Sequence, residues 1–252
     1  MKGSVARAAS FLFFCFLSAQ EIIAQQERKG DPALTENWTP EPKVIVPGKT
    51  AADPPSDAII LFNGKDANGW RDKDNQPVKW KVADGALTVT AGSGLIFTRE
   101  TFGDCQLHIE WRTPAEVKGS GQGRGNSGIF FMGQYELQVL DSYNNRTYSN
   151  GQAGSIYKQH MPLVNASRGP GEWQTYDVIF IAPRFKEDST VQSPARITVL
   201  HNGVLVQNNT VLWGGTQYIG IPVYVKHGDR EPLSLQDHGN PTSFRNIWIR
   251  RL

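Results

Sequence analysis

Hydrophobic and polar residues alternate with a period of two in several short stretches of the chain. In residues 106–112 the odd positions are apolar and the even positions are polar, which is typical of a β-strand with one face in the core. The same alternation predicts strands in residues 135–140, 175–181, 196–200 and 244–250. No segment has sustained helical periodicity with capping residues. The pattern therefore predicts an all-β protein.

Two turn dipeptides support this prediction. Asp84-Gly85 and Asn202-Gly203 each lie between two short alternating stretches. Such pairs tolerate positive φ angles and match the twist of the flanking strands, so each predicts an antiparallel hairpin. Many short strands separated by Gly, Pro and Asn indicate a two-sheet antiparallel β-sandwich or jelly roll.

The N-terminal part of the chain differs from the rest. Two basic residues precede the apolar stretch 8–17, and small residues follow it, an order that predicts a secretory signal peptide in residues 1–24. Residues 25–56 are rich in Pro, Glu, Lys and Thr without periodicity, which indicates an extended linker or arm. Residues 57–252 are then the single main domain.

Charge and cysteine content narrow the class of protein. The chain has 26 Lys and Arg against 24 Asp and Glu, a net charge of +2 without a basic stripe, so we expect no nucleic-acid partner. Because no apolar stretch is long enough to span a bilayer, we expect a soluble protein, secreted or periplasmic. Signal removal would take Cys15 and leave Cys105, which we interpret as a small buried apolar residue and not a nucleophile.

The strand predicted at 135–140 carries the most informative polar residues. Tyr135, Leu137 and Val139 are expected to face the core, which turns Glu136 and Gln138 to the opposite face. These two polar side chains would then line a concave surface. The alternative is an ordinary solvated strand face.

Asp141 follows this strand with the wrong parity for the same face. It would join Glu136 and Gln138 only if a β-bulge intervened. The Glu-x-Gln-x-x-Asp spacing is similar to the catalytic strand of several jelly-roll glycoside hydrolases, in which paired carboxylates supply nucleophile and general acid. Here an amide replaces the middle carboxylate. The preceding Asn126-Ser-Gly adds Asn126 as a candidate substrate-binding residue.

Two further segments offer sugar-binding side chains. Tyr157 and Lys158 lie in one, and Trp173 lies in the other. Aromatic rings provide flat apolar faces for a pyranose ring together with a polar atom. Both aromatic residues are equally suited to the core.

The C-terminal part adds Gln236 as a candidate substrate-binding residue and His238 as a candidate proton carrier. The alternative for His238 is a turn residue bonded to backbone. Arg245 could hold an oxyanion or sugar oxygens through its planar fork, or else bridge a carboxylate at the end of a strand. The glycine-rich stretch 119–125 lacks the lysine of a phosphate-binding loop, so it predicts a flexible loop over the site.

The sequence predicts no cofactor. There is no Gly-x-Ser-x-Gly motif, and the five His residues have no metal-ligand spacing. A structural calcium ion would leave no signal in the sequence.

Six short segments resemble, in their order along the chain, the signatures of the 3-keto-disaccharide hydrolase domain family. They are residues 61–70, 80–85, 126–129, 135–141, 171–173 and 244–247. The resemblance extends over roughly residues 58–252. The resemblance implies a concanavalin A-like jelly roll, export from a bacterial cell and a carbohydrate substrate. Gln174 departs from the usual Asn of the family, and the 119–125 loop is longer than usual.

The family resemblance also implies a chemistry. A ketone at C3 of a sugar acidifies the C2 hydrogen, so that a base can remove it and the enolate can expel the C1 oxygen, after which water adds. The hypothesis gives the base role to Glu136 or His238, the oxyanion role to Arg245 and the acid role to Asp141 or a water. Glu136 and Asp141 as a direct displacement pair is the alternative mechanism. A carbohydrate-binding, lectin-like module without catalysis is the alternative function, and a surface interaction protein is a third.

Overall fold

A computed structural model describes residues 30–252, and the predicted signal peptide lies outside these residues. The chain divides into two compact units at residue 44. Within residues 30–44 the one regular element is a short 3-10 helix, η1 (Pro32–Thr35), whose N-terminus is capped by the Asp31 carboxylate. None of the helices among residues 30–252 has the length and apolar character needed to cross a membrane.

The unit formed by residues 45–252 consists of fifteen strands and two further 3-10 helices. In chain order these are β1 (Ile59–Phe62), β2 (Trp70–Arg71), β3 (Lys81–Ala83), β4 (Ala86–Thr88), β5 (Ile96–Phe102), β6 (Cys105–Arg112), η2 (Gly121–Gly123), β7 (Ser127–Phe131), β8 (Tyr135–Val139), η3 (Ser149–Gly151), β9 (Gln174–Ile181), β10 (Arg184–Phe185), β11 (Val191–Ser193), β12 (Arg196–His201), β13 (Val204–Val211), β14 (Glu231–Leu235) and β15 (Ser243–Arg251). All five strands predicted from alternation are confirmed.

The strands form two main antiparallel sheets. Sheet A has eight strands in the order β13-β12-β9-β6-β15-β4-β3, with β1 also paired to β15. Sheet B has five strands in the order β2-β5-β14-β7-β8, and β10 and β11 form a separate small ribbon. This is the predicted two-sheet sandwich of the jelly-roll, concanavalin A-like class.

The core lies between the two sheets. Phe131 of sheet B stacks on Phe180 of sheet A with ring centroids 4.8 Å apart. The Tyr176 hydroxyl of sheet A donates to the backbone carbonyl of Gln138 in sheet B at 2.8 Å. Fully buried Leu137 comes from the same strand as Gln138. Sheet B therefore turns alternate residues toward sheet A and the others away from it.

Both predicted hairpins are confirmed. Asp84 and Gly85 have φ angles of 51° and 72° between β3 and β4, and Asn202 and Gly203 have 52° and 78° between β12 and β13. Positive φ at both central residues is the signature of the turn that matches strand twist.

The outer face of sheet A departs from the simple alternation. His108 and Glu110, at polar positions of β6, are 2% and 8% exposed because other parts of the chain cover them. The Ala52 carbonyl accepts from the side chains of Asn246 and Trp248 at 2.9 and 3.0 Å. Residues 45–56, part of the predicted linker, thus pack within the same compact unit as the sandwich.

Cys105 is buried at the start of β6, as interpreted from the sequence. Burial raises the pKa of its thiol to about 12. A thiol in this state is a packing residue and not a nucleophile.

Candidate functional site

A cavity of about 780 Å³ opens on the face of sheet B that points away from sheet A. Phe130 of β7 pairs directly with Glu136 of β8, and Ser234 of β14 pairs with Phe130, so these side chains share that face. The cavity is lined by Gln122, Gly123, Asn126, Phe130, Glu136, Gln138, Tyr148, Tyr157, Lys158, Thr216, Tyr218, Gln236 and His238.

Glu136 is the carboxylic acid of this cavity. Its side chain is 4% exposed, and burial raises its pKa to about 8. Among the described residues that line the cavity, no other carries a carboxyl group. Gly128, opposite Gln138 on the neighbouring strand, makes the space for it, because a Cβ there would lie 2.6 Å from Glu136 Oε1. A buried acid with a pKa near neutrality is suited to proton transfer.

An amide cluster lies beside Glu136. Gln138 Nε2 donates to Gln122 Oε1 at 3.0 Å, and Gln122 Nε2 donates in turn to the Gly151 carbonyl at 2.8 Å. Asn126 Nδ2 donates to the backbone carbonyl of Gln122 at 2.7 Å. The glycine-rich loop thus reaches the cavity through Gln122, as predicted for a loop over the site.

Lys158 brings a cation to the cavity among tyrosines. Its φ angle of 58° is a left-handed conformation that is costly for a residue with a side chain. The ammonium group donates to the Tyr218 carbonyl and lies 4.3 Å from the centre of the Tyr218 ring. The Tyr148 and Tyr157 hydroxyls are hydrogen-bonded to each other at 2.6 Å. Burial, followed by the Tyr148 contact, raises the pKa of Tyr157, which keeps this phenol protonated.

The connection between β13 and β14 forms one wall of the cavity. The Thr216 hydroxyl accepts from the backbone N–H of Glu136 at 3.0 Å, and the Thr216 N–H donates to the Gln134 carbonyl at 2.9 Å. Two residues later the chain places Tyr218 at the rim, where its side chain is 71% exposed. This wall is therefore fastened to the strand that carries Glu136.

Gln236 and His238 reach the cavity from the end of β14. The Gln236 N–H donates to the Gly128 carbonyl at 2.9 Å, and its side-chain Oε1 is buried without a partner among the described residues. His238 is exposed at the mouth. Of the ten side chains proposed from the sequence, seven line this cavity. They are Asn126, Glu136, Gln138, Tyr157, Lys158, Gln236 and His238.

Asp141 lies elsewhere. β7 and β8 pair in an unbroken register from Ser127 with Val139 to Phe131 with Tyr135, so β8 itself has no bulge, and Asp141 lies two residues beyond the end of this strand. The Asp141 carboxylate accepts from Arg124 Nε at 2.7 Å and lines a separate cavity of about 310 Å³. Asp141 therefore does not converge with Glu136 and Gln138 in the cavity of about 780 Å³.

Arg245 and Trp173 are not brought to the cavity either. β15 has an irregular register against β6 between Arg245 and Trp248, with Asn246 at a φ of 45°. Arg245 Nε donates to Glu110 Oε2 at 2.6 Å, and its guanidinium carbon lies 4.1 Å from the centre of the Trp173 ring. Arg245 is thus the carboxylate-bridging residue of the second interpretation, on sheet A.

Several cavity residues were not proposed from the sequence. Tyr148, Thr216 and Tyr218 come from loops without periodicity, and their only signal was the density of polar and aromatic residues. Phe130 lies between Ile129 and Phe131, so the sequence does not distinguish it from a core residue. Within residues 30–252, no group of three or more His, Cys, Asp and Glu side chains is placed to hold a metal ion.

Comparisons with known proteins agree with this architecture. Residues 57–250 match the model of the 3-keto-alpha-glucoside-1,2-lyase-like domain. A 3-keto-disaccharide hydrolase from Bacteroides thetaiotaomicron is 27% identical in an alignment that covers 77% of this chain and 78% of that protein.

Solved structures give the same result. A protein from Parabacteroides distasonis, described as a candidate glycosyl hydrolase, is 49% identical and superposes with a TM-score of 0.84 over 88% of this chain and 97% of its own. A second such protein from that organism, 22% identical with a TM-score of 0.57 over 77% and 94% of the two chains, shares the fold. The chain belongs to the 3-keto-alpha-glucoside-1,2-lyase-like domain family, a family of carbohydrate-active, hydrolase-like proteins.

Proposed function

We propose that this chain cleaves the glycosidic bond of 3-keto-glucosides, including 3-keto-disaccharides, with Glu136 transferring the proton at sugar C2. The observation that supports this most is the buried Glu136 carboxyl, which has no ion-pair partner among the described residues and lines a cavity of about 780 Å³. Its pKa of about 8 makes it both a usable base and a usable acid near neutral pH.

The reaction would run in two stages. The Glu136 carboxylate takes the C2 proton, and the electron pair left on C2 delocalises onto the C3 oxygen as an enolate. The enolate then collapses to a C1–C2 double bond while the C1–O bond breaks and the departing oxygen takes up a proton. Addition of water, hydroxyl to C1 and proton to C2, gives the free 3-keto sugar.

The enolate needs a donor or a cation near the C3 oxygen. Arg245 cannot supply it, since its guanidinium is bonded to Glu110 on the other sheet. Lys158 and the protonated Tyr157 hydroxyl are the cavity groups with this capacity. The strained backbone of Lys158 supports a functional role, because Gly or Asn would adopt that conformation at lower cost.

The same geometry argues against direct displacement by paired carboxylates. That mechanism needs two carboxyl groups on either side of the scissile bond. Asp141, the only second candidate from the sequence, is paired with Arg124 and lines another cavity. A single proton-transferring acid fits elimination better.

The cavity also favours catalysis over simple sugar binding. A lectin-like module needs an exposed aromatic platform and polar contacts, but no buried acid with a raised pKa. The free Oε1 of Gln236 and the amides of Asn126 and Gln138 are groups that would hold sugar hydroxyls. Export through a signal peptide in residues 1–24, to the periplasm or outside the cell, completes the proposal.

The test compares release of sugar from a 3-keto-glucoside and from its unoxidised parent. Wild type should cleave only the keto substrate, and Glu136→Gln should lose about 10²- to 10⁴-fold in kcat, the usual contribution of a general acid or base. Glu110→Gln is the matched control and should retain activity. If Glu136 is the base, kcat/KM rises with pH up to about 8. Cleavage of both substrates, or full activity in Glu136→Gln, would contradict the proposal.

A further inference from the structure

The side-chain amide of Gln138 is surrounded by oxygen atoms. On one side lie Glu136 Oε1 at 3.0 Å and the Ser127 carbonyl at 3.2 Å. On the other side lie Gln122 Oε1 at 3.0 Å and Asn126 Oδ1 at 3.4 Å. Gln138 is only 1% exposed, so water cannot easily satisfy it. Whichever side the amide oxygen faces, it meets other oxygens.

Three of these four oxygens cannot carry a proton. The Ser127 atom is a backbone carbonyl, and the Gln122 and Asn126 atoms are amide oxygens. The Gln122 amide cannot turn round, because its Nε2 donates to the Gly151 carbonyl at 2.8 Å. Asn126 is fixed in the same way by its 2.7 Å bond to the Gln122 backbone carbonyl. Only Glu136 can place a hydrogen between itself and Gln138.

The two orientations of the Gln138 amide therefore suit different forms of Glu136. With Nε2 toward Gln122, the amide oxygen faces Glu136 and also the Ser127 carbonyl oxygen at 3.2 Å, which is repulsive. In this orientation it can accept a hydrogen bond only from Glu136 as a carboxylic acid. With the amide turned, its nitrogen donates to Glu136 and to the Ser127 carbonyl, which suits a carboxylate. The turned amide then sets its oxygen against Gln122 Oε1 at 3.0 Å, which is repulsive. Gln122 thus opposes the orientation that favours the carboxylate.

We propose that Gln122 and Gln138 are positioning residues that form an amide chain from the Gly151 carbonyl to Glu136 and so hold the proton on this acid before substrate binds. The relevance to catalysis rests on the proposed function. Once Glu136 is ionised, Gln138 turns and becomes its donor. The amide chain therefore couples the 119–125 loop to the proton state of the acid.

The other ionisable groups around the cavity do not take this role. Tyr148, Tyr157, Lys158, Tyr218 and His238 all line it, but among the described residues none donates a hydrogen bond to the Glu136 carboxyl. The burial that raises the pKa of Glu136 acts in the same direction as the amide chain. Removing the chain should therefore lower the pH at which the acid ionises.

The test is a pH titration of the Glu136 carboxyl band by difference infrared spectroscopy, each protein minus its Glu136→Gln counterpart, without substrate. Gln122→Leu frees the amide to turn, so the midpoint should fall by about 0.5 to 1 pH unit. In a Gln138→Leu background, Gln122→Leu should cause no further shift, because no amide remains to turn. Thr147→Val removes the other acceptor of Gln122 and should leave the midpoint unchanged.

If Gln122→Leu shifts the Glu136 midpoint equally in wild type and in Gln138→Leu, a loosened loop admits water to the acid. If Gln122→Leu does not shift the midpoint in wild type, the amide chain has no effect on the acid. Either result overturns the proposal. Because the titration needs no turnover, it is independent of the cleavage assay, and failure of the proposed function would leave its outcome readable.

Discussion

Glu110 lies in β6, a central strand of sheet A, and Glu136 lies in β8, the edge strand of sheet B. Each is a polar residue in a strand of alternating pattern, and each is almost completely buried, at 8% and 4% exposure. Glu110 accepts from Arg245 at 2.6 Å and from Asn246 at 2.9 Å, and His108 Nε2 lies 3.8 Å from it. Among the described residues Glu136 forms no ion pair, and the neutral Gln138 amide lies 3.0 Å from its Oε1. A strand pattern alone cannot distinguish a structural acid from a catalytic one.

The difference appears in the pKa of each acid. His108, then Asn246 and Arg245, lower the pKa of Glu110 to about 2 against the cost of burial. Burial alone raises the pKa of Glu136 to about 8. His108 lies in the same strand as Glu110, but Arg245 and Asn246 come from β15, 135 and 136 residues away along the chain. Tertiary contacts, and not local sequence, thus assign the two roles.

The largest expected effect is opposite pH dependence of stability in the two Glu→Gln variants. Because folding raises the pKa of Glu136 from 4.5, the folded state holds its proton more tightly, and stability falls as pH rises from about 4.5 to about 8. Glu136→Gln removes this loss, so it should become increasingly more stable than wild type over that range. Each pKa unit corresponds to about 1.4 kcal/mol.

For Glu110 the sign is reversed. Its pKa is lowered on folding, so its contribution is present above pH 4.5 and is lost as pH falls toward 2. Glu110→Gln should therefore be less stable than wild type at neutral pH, and the difference should shrink in acid. Urea unfolding across the pH range measures both variants. Parallel pH profiles for the two would contradict the comparison.

A methyl group added at Gly128 should disturb Glu136, the proposed proton-transferring acid, directly. The new Cβ would lie 2.6 Å from Glu136 Oε1 and 2.9 Å from Phe130 Cε2, so we expect a loss of about 1 to 3 kcal/mol in unfolding free energy from overpacking. Displacement of the carboxyl should also lower kcat by about tenfold or more. Gly123 lines the same cavity, and no atom lies within 4 Å of a Cβ built there. Gly123→Ala should therefore change neither the unfolding free energy nor kcat.

The smallest effect is expected for Arg245→Met. The apolar Met side chain can still cover Trp173, while the ion pair to Glu110 and the cation–π contact with the Trp173 ring are lost. Because the Arg245 side chain is 42% exposed, we expect about 1 kcal/mol of destabilisation and unchanged kcat. Lys158→Met is the contrasting variant, with a large loss of kcat. Loss of kcat in Arg245→Met at constant stability would return the oxyanion role to Arg245.

Much of the architecture could be predicted because strand alternation and turn dipeptides are local signals. The strand at 135–139 and the orientation of Glu136 and Gln138 follow from period two alone. Asp141 could be placed correctly by applying the same parity without a bulge. The position of Arg245 could not be predicted in this way, because its environment depends on an irregular register within β15 and on a partner in β6.

The loop residues of the cavity were beyond such inference for a related reason. Tyr218 and Thr216 lie in a connection without secondary structure. The bonds of Thr216 to Glu136 and Gln134, and of Lys158 to Tyr218, hold this segment beside Glu136. The orientation of the Gln122 and Gln138 amides likewise depends on contacts between separate loops. Sequence patterns specify faces of strands, whereas polar networks are specified by tertiary contacts.

The most direct test of Glu136 as the proton-transferring acid is hydrogen exchange at sugar C2. A 3-keto-glucoside would be cleaved in deuterated water by wild type and by Glu136→Gln, and the product examined by NMR. The account predicts deuterium at C2 of the sugar released by wild type and a rate at least about 100-fold lower for Glu136→Gln. Cleavage that leaves the original hydrogen on C2 would contradict it.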